Sequence, residues 1–438
     1  MATIAQKQLF GWEEIEDLGD LARLRLVLES LPDEDLMWKM ERARGVGRND
    51  YPVRVMWNSL LAGVVFGHES VESLRRELLR NAQLRQVCGF DVLRGAGAVP
   101  SSSAYTRFLK VLMRHEEEIE GLVDKVVKDL QEVLPDFGES LGVDSKGIHS
   151  YARRAPKDQE WDGRRDIDAD WGVKTRWGLD KEGKLAKRSR SWFGYKLHLI
   201  VETNYELPVA YAVTKASTGD CPQGRKLVQK LEERHPDLVE RCEVFTGDKA
   251  YDDTKLISEL WDRDGIKAVI PIREDWREEE PTRLVEGTEN VVYNFKGDVL
   301  CCCPQTGTMS PMAYGGFEKD RGTLKYRCPA RHYQMECPGQ ARCPVKGAVR
   351  INLSENRRVF TPIARSSYVW ENEYKKRSAV ERVNGRLDVS FGFERHFIRG
   401  MKKMKVRCGL ALVVMLAMAL GRIKEKQKTL MRSLVKAA

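Results

Sequence analysis

No uninterrupted apolar run in this chain reads as long enough to cross a bilayer. The most apolar run, Gly409 to Leu420 (GLALVVMLAMAL), falls short of the roughly 20 residues that a spanning helix needs, and it reads as a buried helix. The opening residues, MATIAQKQLFGWEE, lack an apolar run behind a basic start, so no signal peptide is expected. Together these absences lead to the expectation of a soluble, cytoplasmic protein with no membrane partner. Cysteine is not laid out as a disulfide scaffold. Of ten cysteines, Cys88, Cys221, Cys242 and Cys408 are scattered and expected to be small buried residues. The other six lie between Cys301 and Cys343, a density that suggests a metal site instead.

Positive charge is plentiful. The net charge is +9, and Lys and Arg concentrate at Arg153–Lys157, Lys184–Arg190, Lys375–Arg377 and Arg399–Arg407. Clustered basic charge favours a polyanionic partner. The length of 438 residues suits one large domain or two to three ordinary ones.

The texture divides the chain into four parts. Residues 1–135 read as an all-helical domain. Apolar spacing at Leu21, Leu24, Leu26, Val27 and Leu31 gives one helix, and Pro52 to Phe66 and Ser70 to Ala82 give others, with Ser70 as an N-cap. A long helical stretch follows Ser103. With Arg75, Arg76, Arg80, Arg85 and Arg107 nearby, this part is either a DNA-binding module or a scaffold for dimerisation. Residues 136–273 alternate strands and helices. LGVDSKGIHSYA enters as a strand, a polar loop runs from Arg153 to Ser191, and WFGYKLHLIVET and ELPVAYAVTKAST form a hairpin. CEVFTGDKAYDD and GIKAVIPIR are further strands, which argues for an α/β fold with a mixed sheet. Residues 274–365 break the pattern and read as a Cys-rich, β-rich insertion. Residues 366–438 return to helices.

The chemistry gathers on YKKRSAVERVNGRLD, Tyr374 to Asp388. Read as one helix at about 100° per residue, it brings Tyr374, Arg377, Glu381 and Asp388 onto one stripe and leaves Val380, Val383 and Leu387 to pack. Upstream, Asp144 and Asp248 each follow a short apolar run. In an open α/β sheet, acids at strand ends converge, and a helix adds the third carboxylate. Three carboxylates without a nearby histidine suit hard ions, Mg²⁺ or Mn²⁺. A pair of such ions about 4 Å apart supports in-line phosphoryl displacement. Arg377 and Tyr374 would reach a backbone phosphate, and the basic stretches supply the electrostatics for a nucleic acid.

The order GVDSKGIHSYA, WFGYKLHL, TGDKAYDD and YxxRxxxE resembles the DDE transposases of bacterial insertion sequences, in the group with a Y-R-E-K signature. The resemblance spans about Leu141 to Leu420. It implies a ribonuclease H-like catalytic core, interrupted by the Cys-rich insertion and preceded by the helical domain. Asp144, Asp248 and Glu381 match the catalytic, metal-binding acids. Tyr374 and Arg377 match the signature's Tyr and Arg, and Arg382 and Lys196 join them as expected phosphate-binding residues. Asp388 stands where the family has Lys, and Lys375, Lys376, Arg382 and Arg386 are the candidates to replace that charge. The implied activity is cleavage at transposon ends and joining of the freed 3′-hydroxyl to target DNA, by a homodimer or higher oligomer in the bacterial cytoplasm at the nucleoid. A catalytically impaired DNA-binding derivative and a nuclease of the same fold are the alternatives.

Other residues have plainer readings. Asp220 suits a helix N-cap as well as a polar position of such cores. Asp252 and Asp253 read as first-turn helix residues. His149 and His198 read as hydrogen-bonded strand residues, and Asp166, Asp168 and Asp170 as a solvated loop. Cys303, Cys328, Cys337 and Cys343 are the candidate ligands of a structural zinc, although the spacing is looser than paired CxxC knuckles. The rival reading is an insertion with free thiols. Trp276 and Tyr293 are candidates for stacking on an extruded base.

Overall fold

The computed structural model describes residues 17–44, 50–152, 166–179, 185–273 and 282–434. The N-terminal part is helical: α1 (Leu21–Ser30), α2 (Glu34–Arg44), α3 (Val53–Val65), α4 (Val71–Arg80), α5 (Ala82–Cys88), α6 (Ser102–Leu112) and α7 (Glu116–Val133). Ser70 caps α4 as expected, its side chain accepting from the Ser73 N–H. Asn81 and Ser101 do the same for α5 and α6. The single long helix expected after Ser103 is two helices. The chain tightens into i→i+3 bonds at Arg114 and His115. Glu116, Glu117 and Glu118 then open α7, where carboxylates favour a new helix N-terminus. Arg85 is buried and donates to the Leu78 and Leu79 carbonyls at the end of α4. Arg75 pairs with Glu72 and the Pro100 carbonyl, and Arg80 with Glu77. These three arginines brace the helices.

The sheet comprises β1 (Ser140–His149), β2 (Asp170–Leu179), β3 (Leu185–Glu202), β4 (Leu207–Lys215), β5 (Val244–Gly247) and β6 (Lys267–Val269). β1 lies at its centre. It pairs antiparallel with β3 and parallel with β5, which pairs parallel with β6, and β4 pairs antiparallel with β3. Helices α8 (Asp220–Arg234), α9 (Pro236–Arg241) and α10 (Thr254–Asp262) make the connections around β5. Four strands, β1 to β4, joined by antiparallel pairings and followed by two parallel ones with helices around them, form the mixed sheet expected of a ribonuclease H-like core.

Part of the expected polar loop is strand. Asp170–Leu179 pairs with the first half of β3, from Leu185 to Gly194. Its aspartates are not solvated either. Asp166 is buried and accepts from the Ser150 and Tyr195 hydroxyls and the Gly400 N–H. Asp168 accepts from the Met401 N–H, and Asp170 from Ser217.

The insertion holds two small antiparallel sheets. One is formed by β7 (Arg283–Leu284), β8 (Val291–Tyr293), β9 (Val299–Cys302) and β10 (Met309–Pro311). The other is formed by β11 (Ala313–Glu318), β12 (Thr323–Arg327) and β13 (Ala348–Asn352), with the short α11 (Pro329–Tyr333) after β12. The insertion has its own apolar cluster, including Val291, Tyr293, Leu324, Tyr326 and Phe360. Tyr293 is buried edge-on against Phe360, which removes it as a base-stacking candidate. Trp276 lies outside the described residues. Buried Asp252 pairs with Arg358 and accepts from the Arg273 N–H, tying the insertion to the turn after β5. Asp253, not Asp252, caps α10.

The chain closes with α12 (Tyr368–Lys375), α13 (Ser378–Ser390) and α14 (Met401–Lys424). α14 is the one described helix long and apolar enough to cross a membrane, but most of its apolar stretch is buried inside the protein. It lies against α7, α1 and α3 on one side and β4 on the other. One continuous buried cluster therefore runs from Leu24 through the sheet to Leu420, across the expected boundary at residue 135.

α13 is seated on β1 at Gly142. A Cβ there would lie 3.0 Å from both Val380 Cγ2 and Thr246 Oγ1, tighter than ordinary packing. Gly142→Val is expected to lift α13 from β1 and to lower stability on the order of 1–3 kcal/mol. An unchanged urea midpoint would show that the helix is not seated there.

Candidate active site

Strand pairing brings the first two acids together. Val143 is opposite Gly247 in the parallel pair, so the next residues, Asp144 and Asp248, leave adjacent strands side by side. Parallel strands lie about 4.8 Å apart. Asp144 Oδ1 accepts from the Ser145 N–H, and Asp248 Oδ1 from the Ala250 N–H as the chain turns into a short 3₁₀ segment. Burial, and next the charge of Asp248, push the Asp144 carboxyl up to about 6, against the pull of Lys174, the Ser145 N–H and Arg377. Beneath them the Tyr251 hydroxyl is fully buried. Its pKa is driven upward by that burial and by the charges of Asp144, Asp220 and Asp248.

The third acid stands apart. Tyr374 to Asp388 is not one α-helix: α12 ends at Lys375 and α13 begins at Ser378. Between them Lys376, Arg377, Ala379 and Val380 donate to carbonyls three residues back, a 3₁₀-like tightening that shifts the stripe. Val380, Val383 and Leu387 are buried, as the spacing requires. Glu381 is exposed and pairs with Arg377 at 2.5 Å. Arg377 stands over the Tyr374 ring, which stacks on Trp370. Arg377 therefore feels both Glu381 and Asp144. Among the described residues, no three His, Cys, Asp or Glu side chains are gathered closely enough to hold a metal ion.

Two of the expected phosphate-binding residues face elsewhere. Lys196 is opposite Gly147 across the β1–β3 ladder, and Leu197 is opposite Lys146. Side chains alternate between faces, so Lys196 leaves the sheet on the side away from Asp144. It is buried and donates to the Thr218 carbonyl and to Asp220. Asp220 is accordingly not an N-cap. It is the first residue of α8, behind Gly219, and it answers Lys196. His198, on the same side, is fully buried and hydrogen-bonds Thr214, and burial pulls its pKa down to about 4. Arg382 donates to Glu206 and Ser378, and Arg386 also meets Glu206. Neither replaces the charge expected at position 388.

The sequence reading missed two lysines. Lys146 shares the Asp144 face of β1 and pairs with Asp388 at 2.5 Å. Period-two alternation from Asp144 is the signal that points to it. Lys174 reaches across to donate to the Ser145 carbonyl at 2.9 Å. The ribbon of β2 and β3 can approach β1 because Trp192 lies against Gly147 and Gly172, where a Cβ would press into its ring.

The six clustered cysteines line one cavity of about 210 Å³, beside Asn290, Pro329 and Met335. Burial, and then the neighbouring thiols of Cys328, Cys343 and Cys337, push Cys301 up to about 11. Hydrogen bonds from the Thr306 hydroxyl and nearby N–H groups hold the partly exposed Cys303 down at about 6. Of the scattered cysteines, Cys88, Cys242 and Cys408 are buried as expected, and Cys221 is partly so.

Residues 163–417, more than half the chain, match the family described as Transposase DDE domain. Residues 12–111 match the family described as Transposase domain (DUF772). Asp248 and Glu381 lie within the first match and Asp144 precedes it. No curated protein matches the chain. A solved structure, the piggyBac transposase synaptic complex with hairpin DNA determined by cryo-EM, aligns over 95% of this chain and 79% of that one. Its identity is 12% and the TM-score 0.36, a likeness that carries no argument.

Burial of Asp144, and next the charge of Asp248, make stability depend on pH with a definite sign. The folded pKa of Asp144 lies above its unfolded value near 3.9. The folded state is therefore favoured at low pH, and that advantage is lost as pH rises from about 4 through about 6. Asp144→Asn, measured without metal, is expected to be the more stable protein above pH 6, by on the order of 2 kcal/mol, and to lose that lead below pH 4. A difference between the two proteins that does not vary with pH would dismiss the crowding.

Proposed function

The chain belongs to the DDE transposase family, and we propose that it cleaves the ends of its transposable element and joins the freed 3′-hydroxyl to target DNA. The observation that carries this reading is the Asp144–Asp248 pair, two carboxylates held side by side at the strand ends of a ribonuclease H-like sheet. Such crowding suits a divalent cation, because an added positive charge offsets the repulsion. Oxygen donors without histidine suit Mg²⁺ or Mn²⁺. Asp144 and Asp248 would hold the ions, a pair in this reading, with Glu381 as the third carboxylate. When bound, the ions supply an activated water or hydroxyl and offset charge on the leaving oxygen.

The protein's own residues complete the site by exchanging partners. Glu381 releases Arg377 and turns toward the aspartates. The freed guanidinium, backed by the Tyr374 ring, meets the scissile strand's phosphate. Lys174 adds positive charge beside Asp144. DNA is the partner in this reading, as transposon ends and as target, held by a homodimer or higher oligomer at the bacterial nucleoid. The nuclease alternative differs only in the joining step.

Purified protein with a labelled duplex carrying the sequences that flank its gene, plus Mg²⁺ or Mn²⁺, tests the reading. Nicking followed by joined products is expected, and nicking without joining would make it a nuclease. Asp144→Ala, Asp248→Ala and Glu381→Ala should each abolish cleavage, on the order of 10³-fold or more, and still bind the duplex. Near-normal cleavage by any one of them removes that residue from the site.

For the cysteine cavity the thiol donor set suits zinc, whereas the thiols do not already converge on one point. The proposal of a structural zinc held by Cys303, Cys328, Cys337 and Cys343 rests on that donor set and the shared cavity. Protein purified without chelator should carry stoichiometric zinc, lost in Cys328→Ser and Cys343→Ser. Traces only in the wild type would leave the insertion with free thiols.

A further inference from the structure

The surroundings of Asp144 contain an ion pair that the proposed chemistry does not use. β1 presents Gly142, Asp144 and Lys146 on one face, with Lys146 about 7 Å beyond Asp144 along the strand. α13 runs alongside that face. Val380 sits at Gly142 near the start of the helix, and Asp388 meets Lys146 near its end, Nζ to Oδ2 2.5 Å. Glu394 approaches the same ammonium at 3.6 Å. Glu381 and Asp388 are two turns apart, so they share a side of α13. Carboxylate and lysine therefore alternate along the helix–strand seam.

Two features argue against a simple clamp. A clamp needs no charge: Val380, Val383 and Leu387 already bury the helix, and a half-buried ion pair offers little over an apolar one. The pair is also lopsided. The Lys146 side chain is 12% exposed and Asp388 29%, and the second Asp388 oxygen is buried with no hydrogen-bond partner. Asp388 thus commits one oxygen to holding the ammonium, on the face of β1 that carries Asp144. Lys174 reaches the carbonyl of the neighbouring residue, Ser145, from β2. Lys174 and Lys146 thus place two ammonium groups near Asp144.

We propose that Lys146 binds a phosphate of the DNA strand next to the one cleaved, and that Asp388 is the positioning residue that holds its ammonium there. This inference rests on the transposase reading of the site. Lys146 and Asp388 lie 242 positions apart in the chain, so the contact assembles only when α13 docks on β1.

The test is the salt dependence of binding, by the full-length protein, to a labelled duplex of the flanking sequences. Lys146→Gln should lower the slope of log affinity against log salt by about 0.9, the value of one phosphate contact, and slow cleavage. Lys146→Arg keeps the charge and should keep the slope. Asp388→Asn retains a hydrogen-bond acceptor for Lys146 and should also keep the slope, with tighter binding because a negative charge is gone. If the pair is only a clamp, Lys146→Gln and Asp388→Asn both lower the melting temperature, Lys146→Gln leaves the slope unmoved and Asp388→Asn binds no tighter. That result overturns the assignment of Lys146 and leaves the transposase reading intact. A wild-type protein that binds no duplex overturns both.

Discussion

The register of two neighbouring strands sets the site. Val143 faces Gly247 across a parallel pair, and one residue later both chains present an aspartate. Bringing two carboxylates together is unfavourable, and the fold bears that cost because the strands around them are fixed elsewhere. β1 is paired along its whole length with β3, α13 is seated at Gly142, and Tyr251 fills the space below the turn after β5. The rigid sheet keeps Asp144 buried and leaves it little room to move away from Asp248, so burial first and that neighbouring charge second raise its pKa.

The third acid is placed in another way. Glu381 is exposed and borrowed by Arg377. Two carboxylates are preorganised and the third waits on a helix surface, four residues from a guanidinium that also senses Asp144. The cations around the site come from separate elements: Lys146 from β1, Lys174 from β2, Arg377 from the turn into α13. Lys146 pairs with Asp388 and Glu394, Lys174 donates to the Ser145 carbonyl, and Arg377 pairs with Glu381.

Much of this was legible in the chain. The short apolar entries to Asp144 and Asp248, the alternation of WFGYKLHLIVET and the apolar spacing of Val380, Val383 and Leu387 all lead to the observed elements. What was hidden depended on distant contacts. Asp166 and Asp168 look like solvated loop residues, yet they accept from Gly400 and Met401 at the start of α14, where no local side chain caps the helix. β2 is rich in polar residues, so its period is masked and its pairing rests on β3 and on Trp192. Lys196 looked like a basic residue of the site. The ladder's alternation turns it to the other face, a distinction that needs the register and not the composition. Lys146 is the converse case: its place on the Asp144 face follows from alternation, whereas its partner Asp388 is visible only once the helix is docked.

The burial of α14 has a consequence for how the protein is made. Its side chains complete a core whose other walls are α1, α3, α7 and β4, elements that leave the ribosome long before it does. Until Met401–Lys424 emerges, those walls face water with their apolar sides uncovered, and α13 with Glu381 is likewise late. Newly made chains thus pass through a long interval in which the central sheet is synthesised but unfinished. Chains truncated before α14 would be expected to engage chaperones or aggregate, and a complete site forms only on chains translated through that final helix.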